Sequence, residues 1–203
     1  MNTAIAIEKK IAATKIYTLE EYLLKEERSV SKNEFYNGQI IPMPGAKYNH
    51  NKIALNTIIA IDKAISNLET YFEVINSDQK IYIAAANTAL YPDAIVICEK
   101  PEFCQGRTDL ITNPMVIVEV LSRSTRRYDQ KDKFALYQLL PSFKEYITIE
   151  QHKPHVESWF RQDEETWKIN RSTELIQSIP IRSLSVELML SDIYKRIEFE
   201  KKV

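Results

Sequence analysis

Apolar and polar positions alternate in a way that divides this chain of 203 residues into short elements. Thr18-Leu19-Glu20-Glu21 is a capping box, which predicts a helix running to about Lys25. Asn33 to Met43 has hairpin spacing, with Asn37-Gly38 supplying the two positive-φ turn positions between Glu34-Phe35-Tyr36 and Gln39-Ile40-Ile41. From Asn49 to Leu68, Ile53, Asn56, Thr57, Ala60, Ile61, Ala64, Ile65 and Leu68 recur at three and four residues, the stripe of a long amphipathic helix. Tyr71–Ile75 and Lys80–Ala84 are predicted as short strands. Tyr91–Cys98 and Met115–Leu121 are apolar on both faces, as strands at a sheet centre are. Between them, Glu99–Asn113 is predicted as a polar loop. A helix over Asp129–Leu140 follows, with Phe134, Tyr137 and Leu140 inward, then strands at Glu145–Ile149, His155–Arg161 and Thr166–Ile169. Residues 171–203 supply short closing pieces.

This order predicts an α/β fold on the border with α+β: a mixed central sheet flanked by helices. Residues 1–16 carry no clear period and are expected to form an N-terminal arm, with 17–203 as one domain. No apolar run reaches the roughly 18 residues of a bilayer span, and the first ten residues lack the order of a signal peptide. The expected setting is cytoplasmic, with no membrane partner.

Composition limits the chemistry. The three glycines, Gly38, Gly45 and Gly106, do not form a dinucleotide fingerprint or a P-loop. Cys98 and Cys104 cannot build a cysteine zinc site, and His50, His152 and His155 are scattered. Any metal site must therefore draw on carboxylates, which suit Mg²⁺ or Mn²⁺. With 28 acidic and 27 basic residues the net charge is −1, so a nucleic-acid partner would need a local basic patch.

Two acids stand out. Asp93 opens the apolar strand Ala94-Ile95-Val96-Ile97, and Glu119 interrupts Val116-Ile117-Val118 and Val120-Leu121. An unpaired buried carboxylate costs several kcal/mol, so Glu119 needs a partner, a cleft or a cation. Period-two geometry puts Leu121 on the face of Glu119 and turns Val120 away. The nearest cations follow in sequence: Arg123, Arg126, Arg127, Lys131 and Lys133. Lys133 lies one helical turn before Tyr137, on the same face.

Pro92-Asp93 followed by Glu119 in an apolar strand resembles the PD-(D/E)XK nuclease superfamily. The ordered set Tyr17-Thr18-Leu19-Glu20-Glu21-Tyr22, Glu34-Phe35-Tyr36-Asn37-Gly38, Asn49-His50-Asn51, Ser77-Asp78, Tyr91-Pro92-Asp93, Asn113-Pro114, Val118-Glu119-Val120-Leu121-Ser122, Ser124-Thr125, Asp129, Lys133, Tyr137 and Leu140-Pro141-Ser142 is similar to its Uma family, type two, of restriction-endonuclease-like proteins. The resemblance spans about residues 16–195. It implies a restriction-endonuclease-like fold and an endonuclease that hydrolyses DNA with Mg²⁺ or Mn²⁺. It implies catalytic Glu34, Asp93, Glu119 and Lys133, with metal held by Asp93, Glu119, the carbonyl of Val120 and Glu34. Asp78, His50 and Tyr137 are lesser candidates. The chain departs from the superfamily motif at Leu121, where lysine is expected, and has Arg123 where the family's turn carries proline; Lys133 stands in for the displaced lysine.

In this reading Arg123, Arg126, Arg127 and Lys131 contact phosphates, Lys133 orients the attacking water, and a homodimer cuts both strands. Two other functions fit the same residues. One is a catalytically inactive nucleic-acid-binding or protein-interaction domain, motivated by the neutral charge and Leu121. The other is a glycosidase using Asp93 and Glu119 as acid and base, whose activity would survive EDTA.

Overall fold

The structure, a computed structural model, describes residues 15–104, 106–122 and 128–199. Helix α1 (Leu19–Glu26) begins on the predicted capping box. The Thr18 hydroxyl accepts from the Glu21 amide at 3.1 Å, and the Glu21 carboxylate accepts from the Thr18 amide at 2.9 Å. Strands β1 (Asn33–Tyr36) and β2 (Gln39–Pro42) form the hairpin, and Asn37 and Gly38 take φ of 41° and 93°. Helix α2 (Tyr48–Ile65) buries Ile53, Asn56, Thr57, Ile61 and Ile65, one stripe of the predicted period.

Next come β3 (Phe72–Asn76), β4 (Lys80–Ile83), β5 (Thr88–Leu90), β6 (Ala94–Cys98), β7 (Leu110–Ile111) and β8 (Val116–Leu121). A wide π turn over Tyr128–Lys133 leads into α3 (Phe134–Tyr137). Strands β9 (Glu145–Glu150), β10 (Val156–Arg161), β11 (Trp167–Ser172), β12 (Ser178–Ile181) and β13 (Val186–Met189) follow, and α4 (Leu190–Ile193) comes last.

The main sheet has six strands in the order β11-β10-β9-β8-β6-β3, and a second has five in the order β2-β1-β5-β4-β7. The hairpin β12–β13 forms the third. Within the main sheet β8 and β9 are parallel and the other neighbours antiparallel, so the sheet is mixed, as expected. Ala94, Val96, Val116, Val118 and Val120 project from one face to pack with α2, α4 and the β12–β13 hairpin. Ile95, Ile97 and Ile117 project from the other and pack with Tyr137, Phe143 and Tyr146. Both faces are covered, which is why these strands are apolar throughout.

Three elements differ from their sequence expectation. The single strand over Tyr91–Cys98 is a corner: β5 belongs to the second sheet and β6 to the main one, with Tyr91-Pro92-Asp93 turning between them. Pro92 has no N–H for a ladder, so the chain leaves one sheet there and joins the other. The polar loop contains β7, which pairs in parallel with β4. The predicted helix over Asp129–Leu140 is a π turn followed by one short α segment. Of the expected arm, residues 1–14 lie outside the described residues.

Candidate active site

β6 and β8 fix the site's centre. Ala94 pairs with Val118, so Asp93 and Glu119 are the next positions on either strand and share a face. One Asp93 oxygen accepts from the Val120 amide at 2.7 Å, and the other lies 2.9 Å from His50 Nε2. His50 comes from the first turn of α2. Burial works against a charged imidazole there, but the Asp93 hydrogen bond and charge, with Asp129 beyond, hold the His50 pKa above its ordinary value.

Glu119 is 4% exposed. Its Oε1 accepts from Tyr137 OH at 2.6 Å and from Lys133 Nζ at 3.1 Å. Among the described residues no hydrogen bond reaches Oε2. Burial pushes the Glu119 carboxyl up to about 8, with Lys133 opposing and the charges of Asp93 and Asp129 adding to the rise. Lys133 Nζ also lies 3.1 Å from Glu34 Oε1 and 3.8 Å from Asp129 Oδ1. Burial disfavours this ammonium, yet Glu119, Glu34 and Asp129 outweigh it and keep it charged. Glu34 projects from β1, accepts from Tyr36 OH at 2.7 Å, and accepts from the Tyr91 amide at 3.4 Å.

Several distant segments thus meet: the hairpin, the head of α2, the corner, the end of β8 and the π turn. The turn presents Asp129 and Lys133, four residues apart, to one face, and α3 adds Tyr137. Tyr146 from β9 closes the base by donating to the Asp129 carbonyl at 2.9 Å.

The other sequence candidates fall elsewhere. Asp78 is in the β3–β4 turn, paired with Lys32 at 2.7 Å and 77% exposed. Lys131 is exposed on the π turn. Arg123, Arg126 and Arg127 lie outside the described residues. Val120 contributes its amide to Asp93, while its side chain belongs to the opposite core. His155 bonds to Glu157 at 3.1 Å on β10. Asp129 was not among the sequence candidates for the site, although its four-residue spacing to Lys133 and then Tyr137 was legible. Tyr36 belongs to the Glu34–Gly38 stretch that carries the family resemblance but was not itself a site candidate, and Tyr146 gave no signal beyond being a tyrosine. Among the described residues, no three His, Cys, Asp or Glu side chains converge as a ready-made metal cage.

The family Uma2, described as "Putative restriction endonuclease", matches residues 19–191. The chain belongs to this family. Two relatives from Synechocystis sp. are similar over most of their lengths. The uncharacterized protein sll1609 is 37% identical over 166 residues, 82% of this chain and 91% of its own. The uncharacterized protein slr1290 is 30% identical over 180 residues, 89% of this chain and 92% of its own. The Uma2 fold is also found in a crystal structure from Anabaena variabilis described as a putative nuclease belonging to DUF820. It matches with a TM-score of 0.70 at 15% identity, over 90% of this chain and 99% of that one. No helix among the described residues of this Uma2 protein is long and apolar enough to cross a membrane.

Proposed function

We propose that this Uma2 protein is a Mg²⁺- or Mn²⁺-dependent endonuclease that hydrolyses phosphodiester bonds in DNA. The observation that carries the reading is the adjacency of Asp93 and Glu119 across β6–β8, with the buried Lys133 ammonium 3.1 Å from Glu119. The donor chemistry fits a hard divalent ion: the carboxylates of Asp93 and Glu119, one Glu119 oxygen taking no hydrogen bond among the described residues, would hold it, with the Val120 carbonyl as a third oxygen donor. When bound there, the ion lowers the pKa of water and relieves charge on the phosphate.

The protein's own groups do the rest. His50 and the Val120 amide fix the Asp93 carboxylate, and Tyr137 fixes Glu119. Lys133 orients the attacking water and offsets phosphate charge, while Glu34 and Asp129 hold its ammonium in place. Arg123, Arg126, Arg127 and Lys131 contact neighbouring phosphates. The protein works in the cytoplasm as a homodimer, since cutting two strands takes two sites.

One observation favours a second reading, a non-catalytic nucleic-acid-binding domain. Lys133 lies between Glu34 and Glu119 and compensates both acids without an ion. Plasmid nicking separates the two. Wild type should nick supercoiled DNA with Mn²⁺ and stop with EDTA, and Asp93→Ala and Lys133→Ala should each lose at least about a hundredfold in rate. Equal nicking by both variants refutes the site assignment; DNA binding without any nicking selects the second reading.

A further inference from the structure

The near-neutral net charge leaves open where a polyanion would lie. Two adjoining cavities give an answer. The larger, about 740 Å³, runs between α1 and the β1–β2 hairpin, and its cations are Lys15, Lys25 and Arg28. The smaller, about 270 Å³, is lined by Lys32, Lys80 and Tyr91. Both are bounded by Glu26 and Ser29, so they form one groove.

The acids in that groove are engaged. Glu26 accepts from the Asn33 amide at 2.9 Å, from Asn33 Nδ2 at 2.8 Å and from Tyr91 OH at 2.9 Å. Glu27 pairs with Arg107 at 3.0 Å. Lys25 and Arg28 are exposed, and Lys15 and Lys25 lie 4.7 and 5.3 Å from the centre of the Tyr17 ring. Lys15 pairs with Glu21 at 3.5 Å and Lys80 with Asp109 at 2.8 Å, but the lining still sets Lys15, Lys25, Arg28, Lys32 and Lys80 against Glu26 and Glu27, so cations outnumber acids there, and Tyr17 gives the groove an aromatic wall.

The groove leads to the reaction centre. Tyr91 is two residues before Asp93, and Lys32 Nζ lies 5.2 Å from the Tyr91 ring centre. The same ammonium donates to the Ser77 carbonyl at 2.7 Å. Asn76 pairs with Ala94, the last pair of β3 and β6, so Ser77 just after β3 and Asp93 just before β6 flank the same end of that ladder. Lys32 thus stands one strand away from Asp93, on the side opposite Glu119. Its partner Asp78 is 77% exposed, so this pair is weakly held and free to exchange for a phosphate.

We infer that this groove is the path of the nucleic-acid backbone flanking the scissile phosphate, with Lys32, Arg28, Lys25 and Lys15 contacting successive phosphates. The inference rests on the nuclease reading for its register at Asp93, but binding alone tests it. A fluorescent 20-mer DNA duplex would be titrated at several salt concentrations with Ca²⁺ in place of the activating ion. Each lost phosphate contact should lower the slope of log K against log salt by about 0.9. Lys25→Gln/Arg28→Gln/Lys32→Gln should lose about two to three from the slope and bind at least about tenfold more weakly at low salt. Lys25→Glu/Arg28→Glu, which leaves the Lys32 pair intact, should lose about two. A control, Lys63→Gln/Lys168→Gln/Lys195→Gln, removes equal charge from exposed sites elsewhere and should keep the slope. Equal slopes in wild type and both groove variants, or no binding by wild type, overturn the path. Wild type that binds with the predicted slopes but never cleaves leaves the path standing and removes the nuclease reading.

Discussion

Glu119→Gln should abolish cleavage and yet stabilise the fold. The carboxyl is buried at 4% exposure and its pKa is pushed up to about 8, chiefly by burial. In the unfolded chain it titrates near 4.5. Between those values the folded protein retains a proton that the unfolded chain has released. Native protons then exceed unfolded protons, so stability falls as pH rises across the window, by about 1.4 kcal/mol per unit at most. From pH 4.5 to 7 the cumulative loss is at most a few kcal/mol. Glutamine keeps an oxygen to accept from Tyr137 and Lys133 and does not titrate. Its advantage over wild type should be small at pH 4.5, grow with pH, and approach about 1–3 kcal/mol at pH 7, allowing for relaxation around the pair. Urea unfolding at half-unit steps from pH 4.5 to 8 measures this directly. Parallel profiles for the two proteins, or a variant less stable than wild type at pH 7, would refute the assignment of a destabilised carboxylate.

Three further predictions follow from the same geometry. Lys133→Met leaves Glu34, Glu119 and Asp129 without the ammonium they share and should cost about 3–5 kcal/mol in urea unfolding, with Glu34→Gln added in the double variant restoring part of it. Mn²⁺ at a hundred times its dissociation constant should stabilise wild type by about 2.7 kcal/mol, seen as a rise in Tm that Asp93→Asn lacks; equal rises would remove Asp93 from the ion site. Gly38→Val should destabilise by about 2 kcal/mol or more in chemical denaturation, because φ is +93° and a Cβ would stand 2.5 Å from Ile16 Cγ2.

The sequence by itself determined what depends on neighbours along the chain. The Thr18–Glu21 box, the Asn37-Gly38 turn and the stripe of α2 are set by backbone preference and by periods of two and 3.6 residues. The apolar runs after Asp93 and on both sides of Glu119 likewise marked both acids, because a carboxylate in such a run needs a reason. Tertiary structure alone decided what each acid meets. The corner at Tyr91-Pro92-Asp93 depends on two sheets competing for one stretch of chain, and nothing local separates a corner from a continuous strand. The π turn carrying Asp129 and Lys133 looks helical in sequence, since four-residue spacing suits either winding. The ring of Glu34, Asp129, Tyr36 and Tyr146 around Lys133 joins segments that only sheet order brings together. A basic groove on a chain of net charge −1 is likewise a matter of placement: the count of charges is fixed by composition, but which acids are already held, and which lysines remain facing solvent, is fixed by packing.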